Sequence, residues 1–500
     1  MKLQVLLNAA VPAWLQILDQ EKISYAIWEE DSVLPVGENR YPVLILTKKE
    51  PRRKSMIQAH LKQGGAVIVD LDTRSEVREQ DFPGRIFSLD ISIADICESW
   101  ASRRKDFFFN GFTVSETVAA QKKSRSREVV RCAVQKAFWC QGLPYVHLWY
   151  YPRGYRSVFS FRFDMDEYDP DGHSAFCRLL EKYRGSVSCF ACLKTFESLE
   201  DELGKVVRSG VEVGYHGYIH HIYQDYAQNK LDFEQAERLL QKHPRSVKSF
   251  AGPHGVWHPT LQRILEERNY IYSSEFGLDY DNFPFFPIVH GKTSSVTQIP
   301  THPVCEGAFF ERYPYQESML RDYFNAVIDH KIRKEEPALL FGHPDHRIGR
   351  HPEIFTNIME KIDEYQGVWK TEFRQWAGWW KKRHDISFLP QYGNGTVRIE
   401  GLERVEDCTA EILFQDGRRE FSTDWFLPIF DKAKSDCVSP VVETLTQQSY
   451  FKKIKFGLKN WLDWETKTPP ELLRITGVRT LVKRVFRALA GCFMQKAKKI

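Results

Sequence analysis

Three short stretches of the chain hold residue types that hydrolytic chemistry uses. The first is an alternating apolar run, "SVFSFRF", that ends in Asp164-Met165-Asp166. Where strands and helices alternate, catalytic groups gather just past the strands, although an Asp at a strand end also serves simply to cap a turn. The second stretch, "VEVGYHGYIHH", sets His216 and His220 four residues apart. From one helical turn that spacing lets two imidazoles face a single cation, with His221 pointing elsewhere. Two His and one carboxylate with open positions suit Zn²⁺, or Co²⁺, Mn²⁺ or Ni²⁺, as an activator of water. The third, "ALLFGHPDHRIG", is an apolar strand followed by Gly342 and His343. That places His343 to act as a general acid, with His346 as a substrate-side or supporting group. Singly, each stretch reads as ordinary structure; their order and shared place at strand ends point to one site.

The intervening sequence supplies elements that could position these groups. From residue 157 to about 383 strands and helices alternate, through "FCRLLEKY", "VSCFACL", "ELGKVVRSG", "FEQAERLLQKH", "SVKSFAGPH" and "LQRILEERNY". Repeated βα units of this length predict a distorted (β/α) barrel over residues 151–385. Residues 1–100 alternate "LQVLLN", "VPAWLQILDQ", "YPVLILTKK", "KSMIQAHLKQ" and "GGAVIVDLD", the pattern of a parallel α/β sheet. Residues 101–150 read as a helical connector, with "SRSREVVRCAVQKAFWCQGLP" as its helix. Residues 386–435 hold Asn-Gly and Asp-Gly between alternating apolar runs, which predicts a small antiparallel β module.

Bulk properties narrow the class. A chain of 500 residues exceeds one ordinary core and suggests about three domains. Hydrophobic content of 42% and charged content of 27% are those of a globular protein, not of a disordered or fibrous one. The net charge of +4 gives no reason to expect a nucleic-acid partner. Residues 451–500 carry 13 Lys and Arg against 3 Asp and Glu, so the basic excess sits in the tail 436–500. There Leu481, Val485, Phe486 and Leu489 fall at helical spacing beside Trp461 and Trp464, a pattern fit for peripheral contact with an anionic membrane or for a partner helix. Ten scattered cysteines include one close pair, Cys189 and Cys192, in an apolar strand-like run without a second such pair to complete a zinc site. Reduced thiols, no recognisable leader and no long apolar segment lead to the expectation of a cytoplasmic protein, at most peripheral to the inner face of the membrane.

Taken in order, "RFDMD", "HGYIHH", "AGPHG" and "LLFGH" resemble the motifs of the NodB-homology polysaccharide deacetylases, carbohydrate esterase family four, over roughly 220 residues. That family shows T-F-D-D, H-(S/T)-x-x-H-P, R-x-P-Y, D-x-x-D-W and L-x-x-H. The resemblance implies that Asp164 is the general base, that Asp166, His216 and His220 hold the metal, and that His343 protonates the leaving amine. Because Asp-x-Asp replaces adjacent aspartates, base and ligand are interchangeable between Asp164 and Asp166. Ala251 stands where the motif has its base-orienting Arg, for which Arg162 is a substitute, and His254 stands for the Tyr that lends an amide to the oxyanion hole. The fourth motif is echoed only by Asp279 and Asp281. His254, Trp257, His302 and His346 are the expected substrate contacts, with Tyr215, Tyr218, Phe276 and Phe285 as further aromatics near the site.

Residues 1–100 resemble the flavodoxin-like fold of class I glutamine amidotransferase-like domains. With Cys97 as their first cysteine they lack a candidate nucleophile, so a non-catalytic role is expected. The implied function is removal of an N-acyl group, acetyl foremost, from an amino sugar of a surface polysaccharide or of its lipid- or nucleotide-linked precursor. A catalytically weak or inactive glycan-binding scaffold is the alternative. A phosphoesterase would need further ligands for a second metal ion.

Overall fold

The computed structural model describes residues 1–29, 40–94, 102–119, 123–243, 246–275, 281–311, 313–402, 405–422 and 442–443. The tail apart from residues 442–443, together with Cys97, Phe276 and Asp279, lies outside these residues. Among the described residues no helix is long and apolar enough to cross a membrane, and the seven described cysteines are all free thiols.

Near the N-terminus five parallel strands run in the order Tyr25–Ile27, Val5–Leu7, Val43–Leu46, Ala66–Val69, Ile86–Ser88. That 2-1-3-4-5 order is the flavodoxin-like one. The three middle strands are entirely buried, as expected of near-continuous Val, Leu and Ile runs covered on both faces.

The second sheet is the scaffold of the site. Its parallel path runs Thr297–Gln298, Tyr272–Ser273, Ser246–Phe250, Glu212–Tyr215, Val187–Ala191, Ser157–Met165, Ala338–Gly342, with Val368–Lys370 pairing to the start of Ser157–Met165. The sheet curls but, among the described residues, does not close by strand pairing. One backbone bond bridges its two edges, from the His302 N–H to the Leu339 carbonyl at 2.8 Å.

All nine residues of Ser157–Met165 are buried, which explains their apolar density. Successive side chains alternate between faces. Phe161 and Phe163 pack edge-on or tilted against Phe355 and Phe176 of the helices Glu353–Asp363 and Pro170–Tyr183. Arg162 and Asp164 therefore share the opposite, interior face, and Asp166 follows in the same register.

The connector over 101–150 differs from its expected helical form. Ser102–Phe109 and Phe112–Ala119 pair as a hairpin, followed by the helix Lys123–Trp139. Asn110 and Gly111 at the turn both have positive φ, 45° and 83°, the geometry that an Asn-Gly hairpin turn favours. The hairpin packs beside the unclosed edge of the barrel, where Phe109 meets Tyr323 and Tyr313 bonds to the backbone of Thr113.

Hairpins also form in the 386–435 region, at Leu389–Gly393 with Thr396–Glu400 and at Ala410–Leu413 with Arg419–Phe421. They are not a module to themselves. Ala410–Leu413 pairs antiparallel with Tyr145–Leu148, and the first hairpin bonds back to Met1 and Leu3.

Buried charge joins the two α/β units. Arg127 pairs with Glu21 and with Asp281, the latter at 2.9 Å, and Lys123 reaches Asp281 at 3.0 Å. Burial pushes the Glu21 carboxyl up, but the guanidiniums of Arg127 and Arg131 outweigh it and hold it at about 2. Arg383 donates to the carbonyls of Gln20, Glu21, Leu148 and Trp149, tying the helix Phe373–Asp385 to the N-terminal unit.

Candidate metal centre

The C-terminal ends of four sheet-two strands meet around Asp166. His216 Nε2 lies 3.2 Å and His220 Nε2 3.3 Å from its Oδ1, and the three ligand atoms lie within 4.8 Å of one another. His216 follows Glu212–Tyr215 directly and is 2% exposed. Its Nδ1 is 2.7 Å from the carbonyl oxygen of Ala251. A carbonyl only accepts, so Nδ1 carries the proton and Nε2 turns a lone pair toward Asp166. Two lone-pair groups at 3.2 Å repel unless a proton or a cation lies between them. Asp166 Oδ1 receives no hydrogen bond among the described residues, so the donor set fits a divalent cation. Burial pushes the Asp166 carboxyl up, but the imidazoles of His216, His220 and His343 outweigh it and hold it well below the usual carboxylate range.

The expected helical turn from His216 to His220 is not there. Residues 216–222 run as an irregular loop after the strand. Gly217 turns it with φ +84°, and a Cβ there would fall 2.4 Å from the Ile219 carbonyl oxygen. Four-residue spacing thus brings the imidazoles together through a glycine turn, with ring centres 5.1 Å apart.

Asp164 is buried and accepts from Arg162 Nη2 at 2.7 Å, while its Oδ1 has no hydrogen-bond partner among the described residues. Arg162 crosses the barrel interior to bond the Ser274 carbonyl at 2.6 Å and its hydroxyl at 2.8 Å. With Ala at position 251, the guanidinium that meets Asp164 comes from its own strand, on Arg162. Ala251 contributes its carbonyl to His216 instead.

His343 closes the site from Ala338–Gly342, with Nε2 3.8 Å from Asp166 Oδ2. Its Nδ1 and its backbone N–H both lie 2.9 Å from Glu306 Oε1, and Arg347 Nη1 lies 2.9 Å from Nδ1. Glu306 is fully buried. Burial would pull the His343 imidazole down, yet Glu306 overcomes it and holds the ring well above its ordinary value, which favours the protonated form. Sequence reasoning missed Glu306 and Arg347. The one trace of Glu306 is Gly342, where a Cβ would sit 2.3 Å from Glu306 Oε2.

The expected substrate contacts divide. His254 is exposed, with φ +58° and its ring centre 4.4 Å from that of His220. His346 is 52% exposed at the rim, where its N–H donates to Asp169 at 3.1 Å. His302 and Trp257 are corrections. His302 is 2% exposed with Nε2 on the Tyr323 hydroxyl at 2.8 Å, and Trp257 is 6% exposed, donating to Gln262 and packed on Phe285. Both side chains are buried inside the fold, so neither presents a face to substrate. Tyr215 and Phe285 are core residues too, whereas Tyr218 is only partly buried and bonds Glu197 and Lys194.

Glu275 lies at the end of Tyr272–Ser273, buried, accepting from Gln298. Burial pushes its carboxyl up to about 7, although bonds from Gln298 and Ser273 oppose the shift. An acid raised in the fold stabilises it most below the unfolded value near 4.5, and that stability is lost as pH rises through 7. A shift of this size corresponds to about 3 kcal/mol. Glu275→Gln is expected to flatten the fall in unfolding free energy between pH 5 and pH 8, measured by urea titration. An unchanged slope would show that Glu275 does not cause it.

Residues 155–273 match the family model "Polysaccharide deacetylase". No curated protein matches the chain. Among solved structures, a putative polysaccharide deacetylase from Mycobacterium smegmatis is similar at 17% identity and a TM-score of 0.40, over 47% of this chain and 93% of that one. Puue allantoinase is similar at 18% identity and 0.41, over 48% and 94%. A carbohydrate esterase family four pseudoenzyme from Bacillus anthracis is similar at 14% identity and 0.32, over 44% and 65%. The family match thus spans the strands and loops that carry Asp164, Asp166, His216 and His220, a likeness to a hydrolase acting on amide bonds.

Proposed function

We propose that the chain is a divalent-metal hydrolase that removes an N-acyl group, acetyl foremost, from an amino sugar of a surface polysaccharide or of its lipid- or nucleotide-linked precursor. The observation that carries this reading is the convergence of Asp166 Oδ1 with the Nε2 atoms of His216 and His220, with His343 beside them. Two imidazoles and one carboxylate suit Zn²⁺ first, and Co²⁺, Mn²⁺ or Ni²⁺ after it. Such a cation, when bound, supplies a Lewis acid for the acyl oxygen and makes water a stronger acid.

The chain's own residues do the rest. Asp164, aimed by Arg162, takes the proton of the attacking water through its unbonded Oδ1. By the resemblance to the family's third motif, the backbone N–H at His254 would serve the oxyanion. His343, kept protonated by Glu306, gives its Nε2 proton to the departing amine. Absence of an Arg at 251 is the feature that favours a glycan-binding scaffold, and the Arg162–Asp164 pair supports the enzyme over it.

Metal analysis of the purified full chain tests the reading. About one divalent ion per wild-type chain is expected, with loss of the ion in the His216→Ala/His220→Ala double variant. Acetate release from N-acetylated sugars should vanish with it. A wild type that takes up neither Zn²⁺, Co²⁺ nor Mn²⁺ would overturn the hydrolase reading.

A further inference from the structure

The two histidines of the centre are fixed by different means. His216 is 2% exposed, extends directly from a strand and is bonded to Ala251. The His220 side chain is 28% exposed and sits in the irregular run after Gly217, where neither a ladder nor a close-packed core sets its place.

The helix Tyr226–Leu240 lies against this run and presents two buried polar side chains to it, Asn229 at 1% and Asp232 at 7% exposure. Three residues apart, they share one helix face. Asp232 accepts the Tyr218 N–H at 3.0 Å on Oδ2 and the Ile219 N–H at 3.2 Å on Oδ1, and it also accepts the Tyr215 hydroxyl. Asn229 accepts the Tyr223 N–H at 2.9 Å and donates to the Tyr223 carbonyl. The backbone is thus tied just before His220, at 218 and 219, and just after it, at 223. Buried groups of this kind are costly to leave unpaired, so the bonds favour one loop geometry over its alternatives.

We propose that Asn229 and Asp232 are positioning residues for the metal centre, pre-setting the 217–223 loop so that His220 meets Asp166 before any cation arrives. The inference rests on the assignment of Asp166, His216 and His220 as metal ligands. Partners that orient ligands from outside the coordination sphere are typically worth ~10–100-fold in metal affinity.

The test uses the full chain, with Zn²⁺ affinity from competition against a chromophoric chelator and the visible absorption of the Co²⁺ form. Asp232→Ala and Asn229→Ala are each expected to weaken Zn²⁺ binding by ~10–100-fold and to alter the Co²⁺ bands. Asp232→Asn, which keeps one acceptor oxygen, should fall between wild type and Asp232→Ala. Tyr215→Phe removes the hydroxyl that also accepts the Tyr218 N–H at 2.9 Å but keeps both Asp232 ties, so it should weaken binding less than Asp232→Ala does. Far-ultraviolet circular dichroism of the metal-free proteins reports folding. Affinity for Zn²⁺ in folded Asp232→Asn and Asn229→Ala equal to wild type overturns the proposal and leaves the ligand assignment standing. A wild type that binds no cation overturns the assignment and this proposal with it.

Discussion

Asp164→Asn is expected to lower the rate of acyl release by about 10²–10⁴-fold while the protein retains its divalent ion. The amide keeps the shape of the carboxylate and can still accept from Arg162 Nη2, so the barrel interior is not emptied. What it loses is basicity at Oδ1, the oxygen with no partner among the described residues. Asp166→Asn is expected to do the opposite in one respect, losing the ion together with the rate, because Asp166 Oδ1 stands between the two imidazole nitrogens. Metal content and kcat measured on both variants separate the roles. Loss of the ion from Asp164→Asn with retention in Asp166→Asn would reverse base and ligand.

The second large effect lies one residue pair away. Arg162→Met removes the cation from a buried carboxylate and leaves the Ser274 carbonyl and hydroxyl without their donor. Stranding one partner of a buried pair costs about 3–5 kcal/mol, whereas replacing both is far milder. Unfolding in urea should therefore show Arg162→Met strongly destabilised and the Arg162→Met/Asp164→Asn double variant recovering much of the loss. Activity should fall in both, since neither holds an oriented carboxylate. A double variant no more stable than Arg162→Met would mean that the ion pair is not what Arg162 contributes.

Much of the site was legible because its chemistry is written in side-chain types at strand ends. Asp164, Asp166, His216, His220 and His343 are unusual residues after apolar runs, and the alternation of "SVFSFRF" already places Arg162 and Asp164 on one face. The family match covers the first four of these positions. What could not be read were contributions with no local pattern. Glu306 is a single Glu in "VCEGAFF", brought to His343 from 37 positions away by the fold. Ala251 acts through its carbonyl, which every residue type has. Trp257 looked like a contact because aromatic rings stack on sugars, and His302 because it follows a strand-like run in "QIPTHPV", but burial is decided by layers packed from elsewhere in the chain. The spacing of His216 and His220 suits a helical turn and a glycine loop equally, and the positive φ of Gly217 is the deciding detail.

The fold of the connector shows a signal overlooked rather than absent. "FFFNGFTV" carries an Asn-Gly pair between apolar runs, the same cue that located the hairpin at Asn394-Gly395. The reading of residues 101–150 as a helical connector rested on the later segment "SRSREVVRCAVQKAFWCQGLP" and passed over this pair.

The buried charges between the two α/β units carry a consequence for how this protein can change over time. An enzyme core joined to its neighbour through apolar contacts alone could be cut out, duplicated or grafted elsewhere with modest loss. Here a barrel severed at residue 151 would leave Asp281 without Lys123 and Arg127, and Arg383 without all four of its carbonyl acceptors. Substitution of Glu21 would in turn remove one of the two carboxylates paired with Arg127. The barrel is thus not a freely movable cassette: excised, it would carry buried charges and donors whose partners lie in the preceding residues.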